Sequence, residues 1–200
     1  MIDEPFRRWM SHHAAAPVPV LHRIGVSPNG LSWLGLGLAL IASVTVATGA
    51  PVPGVGLWLL SRLADAYDGM LARHLGATTL FGGYLDLTFD MLAYSAMACA
   101  FAYVMPAERM LWLFVLTGYV LAVTTTLALS SLAERANRQL GGDRSIQFTA
   151  GLAEAGETSI VYVLLAVLPS QSRIILVVWV ALLAATMIQR TWLAHRILRA

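Results

Sequence analysis

The chain contains no lysine; its basic side chains are 13 arginines and five histidines. Charge of either sign is scarce. Only 12% of the 200 residues are charged, about half the roughly 25% of an ordinary soluble domain. With 58% hydrophobic residues, the composition points to lipid as the solvent. The formal net charge of +2 and the lack of any basic patch interleaved with aromatics argue against a nucleic-acid partner. A single cysteine, Cys99 in an apolar run, excludes an intrachain disulfide and gives no sign of an oxidising compartment. No internal repeat or low-complexity linker interrupts the chain, so one domain over 1–200 is expected. No short apolar stretch with a small-residue cleavage site follows Asp3, Glu4, Arg7 and Arg8, so no cleavable leader is expected.

What is present is a series of long apolar runs. A membrane-spanning helix needs roughly 20 mostly apolar residues. Six stretches qualify, near 31–49, 53–72, 81–104, 110–132, 152–169 and 173–193. Backbone facing lipid must satisfy its own polar groups, so each is expected to be a helix. The fold class expected is therefore all-α, a polytopic membrane bundle of six transmembrane helices over 29–195 behind a juxtamembrane segment, 1–28. Residues 2–14 mix Phe6, Trp9 and Met10 with charges, the pattern of an N-terminal interfacial helix. Asn29 or Ser32 is the expected cap of the first span. Pro51, Pro53, Pro106 and Pro169 mark breaks between later ones, and Gly141-Gly142-Asp143 marks the loop before the fifth.

The arginines are distributed unevenly between the two sides. Arg7, Arg8, Arg23, Arg73, Arg135, Arg138, Arg144, Arg196 and Arg199 fall on one side, against Arg109 and Arg173 on the other. Excess arginine marks the cytoplasmic face, so both termini are expected in the cytoplasm.

Four aspartates stand near the cytoplasmic ends of two consecutive spans. One charged side chain at mid-bilayer costs roughly 2.5–3.5 kcal/mol on insertion scales. Four of them unpaired would approach the whole stability of a domain, so they must be hydrated, paired or metal-bound. Asp65 and Asp68 are spaced i,i+3 and Asp86 and Asp90 i,i+4, which puts each pair on one helix face. Gly82 lies on the same stripe as Asp86 and permits close helix approach. The second span rises toward the cytoplasm and the third descends from it, so the pairs can converge. Converging carboxylates suit hard divalent cations such as Mg2+ or Mn2+, and two such ions would clamp a diphosphate.

The run Asp65-x2-Asp68-Gly69-x2-Ala72-Arg73-x8-Gly82-x3-Asp86-x3-Asp90 resembles the signature of the CDP-alcohol phosphotransferase family without a departure. The six-span layout and the Ser27-Pro28-Asn29 segment resemble that family too. Leu85-Asp86-Leu-Thr-Phe-Asp90 and Gly151-Leu-x-Glu154-x2-Glu157-Thr158 are similar to a bacterial subgroup of it. The resemblance implies that Asp65, Asp68 and Asp86 ligate Mg2+ or Mn2+ and that Asp90 contributes to a second ion. Asp90 would also take the proton of an acceptor hydroxyl, which attacks the β-phosphorus and expels CMP. It implies that Gly69 and Arg73 meet the diphosphate, with Thr79 and Asn29 as further nucleotide contacts. The implied reaction moves a phosphatidyl group from CDP-diacylglycerol to an alcohol. Its alternative is transfer of a phospho-amino-alcohol from a CDP-alcohol to diacylglycerol. A homodimer in the bacterial inner (cytoplasmic) membrane, with the site facing the cytoplasm, is implied as well.

Several residues keep two readings. Arg62, three residues before Asp65, is either a phosphate ligand or a structural ion pair within the acidic cluster. His74 is read mainly as a solvated interface residue. Glu154 and Glu157 are i,i+3 within a span and are candidates for the acceptor site, as is Arg144. Two carboxylates there would repel a phosphate dianion and favour an amino alcohol or uncharged polyol. Arg135, Arg138 and Arg144 folded over the pocket would favour a phosphorylated one. From a different class, a divalent-cation transporter would explain intramembrane carboxylates, but not Gly69-x2-Ala72-Arg73 or the fixed place of Gly82.

Overall fold

Prolines and hydroxyl caps decide where the helices begin. The computed structural model describes residues 17–135 and 155–199. The expected interfacial segment 2–14, the loop Gly141-Gly142-Asp143, and Arg138, Arg144 and Glu154 lie outside the described residues. Among the described residues there are seven α-helices and no strand. These are α1 (Pro17–Arg23), α2 (Pro28–Ala47), α3 (Pro51–His74), α4 (Leu80–Val104), α5 (Arg109–Arg135), α6 (Ala155–Val167) and α7 (Ser172–Arg199). Short 3-10 turns at Pro106–Glu108 and Pro169–Gln171 lead into α5 and α7.

The cap of α2 differs from expectation. Ser27, in extended backbone, accepts the Gly30 N–H at 3.1 Å, with Pro28 at the first helical position where a missing N–H costs nothing. Asn29 and Ser32 are already inside the helix. At its other end Gly49 takes φ 89°, and the Ala50 N–H reaches the Thr45 carbonyl at 3.2 Å. That left-handed turn closes the helix as a Schellman motif and sends the chain straight into α3.

The six expected spans correspond to α2 through α7. Four of these regions, Pro28–Ala47, Leu80–Val104, Pro106–Arg135 and Pro169–Leu198, are long and apolar enough to cross a membrane. α3 has the length but carries Arg62, Asp65, Asp68 and Arg73 within it. α6, Ala155–Val167, is a shorter apolar helix, and residues 152–154 of its expected span lie outside the described residues. The chain is an integral membrane protein: its long helices are apolar, and large side chains such as Ile41, Val44, Phe114, Val120, Ile174 and Ile188 face outward.

Packing follows small residues and rings. α2 lies against both α3 and α4, α5 against α7, and α6 against α3 and α7. The α2–α3 approach is permitted by Gly35 and Gly54. A Cβ on Gly35 would stand 3.3 Å from the Ser61 carbonyl, and one on Gly54 2.6 Å from Val46 Cγ2 and 3.0 Å from the Ala42 carbonyl. The main core is aromatic. Trp58 meets Tyr94 and Tyr162 edge-on, each at 5.1 Å between centroids, and Phe101 stacks on Trp112 and Tyr162, each at 5.5 Å. A smaller cluster joins Val18 of α1 to Leu31, Met70 and Leu71, docking α1 where α2 begins and α3 ends.

Candidate metal and nucleotide site

The turn between α3 and α4 sets the site. α3 ends where Gly76 adopts φ 60° and the Ala77 N–H returns to the Ala72 carbonyl at 2.9 Å. α4 starts behind Thr79, whose Oγ1 accepts the Gly82 N–H at 2.9 Å. Asp65 and Asp68 thus occupy the last turns of α3, and Asp86 and Asp90 the first turns of α4. Carboxylate oxygens of Asp65, Asp68 and Asp86 all lie within 4.8 Å of one another. Asp68 is buried, Asp65 half-buried and Asp86 exposed, so the group opens on one side only. α2 contributes Ser32, whose Oγ donates to Asp68 Oδ2 at 2.6 Å.

Asp90 stands outside that group of three. Its Oδ1 accepts from Nη1 of Arg62 in a short, charge-assisted contact. The same nitrogen is 3.9 Å from Asp65 Oδ2. The guanidinium rests on the faces of Trp58, at 4.7 Å, and Tyr94, at 5.4 Å. Such cation–π contacts are worth about 0.5–1 kcal/mol when exposed and about 2 when desolvated. Of the two readings of Arg62, the structure has the ion pair. Beneath it, Trp58 Nε1 donates to Ser159 Oγ of α6 at 3.1 Å, which ties the floor of the site to the helix that begins near Glu157.

The other expected residues fall into two places. The Arg73 guanidinium lies over Gly69, with Nη1 3.2 Å from where a Cβ would be. A side chain at 69 would push it away, so glycine and arginine form one patch. Asn29, exposed at the start of α2, brings its Oδ1 to 4.0 Å from a notional Cβ on Gly82, and Thr79 Oγ1 comes to 3.2 Å. Asn29, Thr79 and Gly82 therefore meet where α2 and α4 begin. Glu157 is half-buried in the first turn of α6. His74 is exposed at the end of α3.

Two residues escaped the reading of the sequence. Ser32 reads in the sequence only as a candidate helix cap, and nothing local announces its bond to Asp68. Arg190 is buried in α7, donating to the Ala122 carbonyl at 3.0 Å and to Thr126 Oγ1 at 2.8 Å. Like the aspartates, it is a charge within an apolar run, which is conspicuous in the sequence.

The donor set fits a divalent cation. Opposed oxygens around an ion with bonds of 2.0–2.1 Å stand roughly 4.2 Å apart, within the spread of Asp65, Asp68 and Asp86. Three carboxylates so close repel one another, and the Arg62 guanidinium beside them is engaged chiefly by Asp90.

Comparison with known proteins bears on the family and the fold. The Escherichia coli inner membrane protein YnjF is 29% identical over 187 residues, covering 91% of this chain and 89% of YnjF. A phosphatidylinositol phosphate synthase of Cutibacterium acnes is 32% identical over 151 residues, covering 68% of this chain and 72% of that protein. The Mycobacterium tuberculosis phosphatidylinositol phosphate synthase PgsA1, solved with CDP-DAG bound, superposes with a TM-score of 0.69 at 20% identity over 92% of this chain and 94% of that one. The same enzyme in complex with manganese and citrate gives 0.66 at 21% identity, over 88% and 86%. The profile of the CDP-alcohol phosphatidyltransferase family matches residues 26–195, and the chain belongs to that family of phospholipid-synthesising transferases.

Proposed function

We propose that Asp65, Asp68 and Asp86 hold Mg2+ or Mn2+, with Asp90 contributing to a second ion, and that the site transfers a phosphatidyl group from CDP-diacylglycerol to an alcohol. The observation that supports this most is the meeting of three carboxylates from two helices beside the Gly69–Arg73 patch. The ions, when bound, neutralise diphosphate oxygens and stabilise charge developing on the transferred phosphorus. Arg73 holds diphosphate oxygens through its planar fork. Gly69 lets the nucleotide approach the α3 backbone, and Asn29 and Thr79 line the mouth where its cytidine enters. Asp90 accepts the proton of the acceptor hydroxyl as that oxygen bonds to the β-phosphorus and the bond to the CMP oxygen breaks. Its usefulness as a base depends on reaching the hydroxyl within hydrogen-bond distance.

The acceptor pocket is assigned to the side of Glu157, with Glu154 and Arg144 as further members. Two acceptor classes are distinguishable. Glu157, half-buried two residues before the Ser159 that Trp58 engages, favours a cationic or uncharged alcohol. The names of two relatives, phosphatidylinositol phosphate synthases, favour a phosphorylated polyol. The arginine distribution supports six spans, with the site and both termini on the cytoplasmic face of the inner membrane. The family resemblance supports a homodimer.

The test uses purified protein in detergent with CDP-diacylglycerol, Mn2+ or Mg2+, and a panel of free and phosphorylated alcohols, following CMP and lipid product. Asp90→Asn should abolish turnover while CDP-lipid binding persists. Asp68→Asn should lose both. Near-normal CMP release by Asp90→Asn would remove its assigned role.

A further inference from the structure

Asp90, assigned above as the base, is held by a chain of contacts that starts on another helix. Ser159 of α6 uses its hydroxyl twice: Oγ accepts from Trp58 Nε1 at 3.1 Å and donates to the Ala155 carbonyl at 3.1 Å. The indole it engages is fully buried on α3, edge-on to Tyr94 and Tyr162. Arg62, one turn further along the same face of α3, lays its guanidinium over that ring at 4.7 Å. Its Nε donates to Ser61 Oγ at 3.2 Å, and its Nη1 donates to Asp90 Oδ1. Asp90 thus stands at the end of a series that runs from α6 through α3 to α4. A second link joins α6 to α4 directly, where the Tyr162 hydroxyl donates to the Tyr94 carbonyl at 3.4 Å. Edge-on neighbours fix where the indole lies but not which way its nitrogen faces, because the second torsion of tryptophan is broad and roughly two-fold. Turned the other way, Nε1 would leave Ser159, and a buried donor without a partner is costly. Ser159 therefore selects the orientation of the ring on which Arg62 rests.

We propose that Ser159 is a positioning residue for Asp90, acting through Trp58 and Arg62. This rests on the reading of Asp90 as the base. The two bonds of Ser159 go to Trp58 and Ala155, so metal ligation and diphosphate binding proceed without it. α6 also carries Glu157, on the side assigned to the acceptor, two residues before Ser159. One bond thereby ties the helix assigned to the acceptor to the carboxylate that takes its proton. Proton transfer depends on that separation, and a small misplacement costs rate. Ser159 acts on turnover rather than on binding.

The experiment measures steady-state CMP release by the full-length protein in detergent, with CDP-diacylglycerol, Mn2+ and the fastest alcohol of the panel above. CDP-diacylglycerol binding is measured beside it. Ser159→Ala should lower kcat about three- to tenfold, the effect of one neutral hydrogen bond expressed in the transition state. KM and affinity for CDP-diacylglycerol should stay within about twofold of wild type. Ser159→Thr, which keeps the hydroxyl, should restore most of kcat. Trp58→Phe removes Nε1, so adding Ser159→Ala to it should lower kcat no further, since both act through one bond. A merely structural serine would lower the melting temperature and leave kcat of the folded protein unchanged. Unchanged kcat in Ser159→Ala, with turnover abolished in Asp90→Asn, overturns the positioning role alone. A raised KM for the alcohol at full kcat overturns it too and makes Ser159 an acceptor contact. Near-normal turnover in Asp90→Asn, or no CMP release by wild type with any alcohol, overturns the reading of the site and the inference together.

Discussion

Ser32→Ala is the sharpest test of how α2 serves the site. The substitution removes only Oγ and keeps Cβ, so the packing of α2 on α3 hardly changes. What is lost is a 2.6 Å donor to Asp68 Oδ2, in a place where Asp68 itself is 7% exposed. Hydrogen bonds to charged groups are worth about 1.5–3 kcal/mol. Ser32 is only half-buried, which places this bond near the lower end of that range. About 1.5–2 kcal/mol corresponds to roughly 10- to 30-fold, in line with the 10- to 100-fold typical when a group supporting a metal ligand is removed. The expected outcome is that Mn2+ affinity and metal-dependent CMP release both fall by about 10- to 30-fold, with a modest fall in the melting temperature because the bond is present without metal too. Ser32→Thr, which keeps the hydroxyl, should recover most of the loss. The measurements are a Mn2+ titration, a CMP-release assay across metal concentrations and thermal denaturation in detergent. Mn2+ affinity and activity both within twofold of wild type would show that Asp68 is oriented without Ser32, and the reasoning would fail.

Other substitutions test the frame and the nucleotide patch. Gly54→Ala should destabilise the protein by about 1–3 kcal/mol, the usual cost of overpacking, because its Cβ would stand 2.6 Å from Val46 Cγ2 and 3.0 Å from the Ala42 carbonyl. Gly56→Ala, two residues along the same helix with nothing within 4 Å, should be neutral or stabilising within about 1 kcal/mol; equal melting temperatures for the two would contradict the packing argument. Arg73→Lys preserves charge but not the fork, and should weaken CDP-lipid binding by at least about tenfold, since charged hydrogen bonds are worth about 1.5–3 kcal/mol. Binding equal to wild type in an affinity measurement would reduce Arg73 to a charge at the helix end.

Much of the architecture was legible because lipid imposes simple rules. Apolar runs of sufficient length became α2, α4, α5 and α7 with nearly the expected limits, since proline and glycine punctuate them and lipid allows few alternatives. α3 was legible from its apolar run, 53–72, as the others were. Its charges weaken that signal, and the i,i+3 spacing of Arg62, Asp65 and Asp68 announces a polar face. The aspartates were visible for the same reason: a charge in an apolar context is conspicuous. What could not be read was which carboxylate pairs with which cation. Helix spacing places Asp86 and Asp90 on one face, yet only packing decides that Asp86 meets the α3 aspartates while Asp90 turns to Arg62. Ser32 was invisible because its partner lies 36 residues away and serine in an apolar helix is unremarkable. The cap passed to Ser27 rather than Asn29 or Ser32 because Pro28 fits best just inside a helix start, a cue present in the sequence and outweighed by the apolar pattern beginning at Leu31.

The bundle also shows how a membrane protein tolerates four acidic side chains on neighbouring helices. At roughly 2.5–3.5 kcal/mol each at mid-bilayer, unrelieved aspartates would cost about 10–14 kcal/mol, as much as an ordinary domain has to spare. The relief differs at each position. Asp86 is exposed, where hydration removes most of the penalty. Asp68, the most buried, takes the Ser32 hydroxyl. Asp90, deepest along α4, takes the guanidinium. Asp65 is left with a more distant share of Arg62 at 3.9 Å and with two carboxylate neighbours. Asp65, Asp68 and Asp86 converge at a point that a hard cation relieves well. Below that point the aromatic layer of Trp58, Tyr94 and Tyr162 separates the charges from the apolar core. A site of this kind holds its ligands apart from lipid on one side and open on the other, which is what a reaction between a membrane-held nucleotide lipid and an alcohol from water requires.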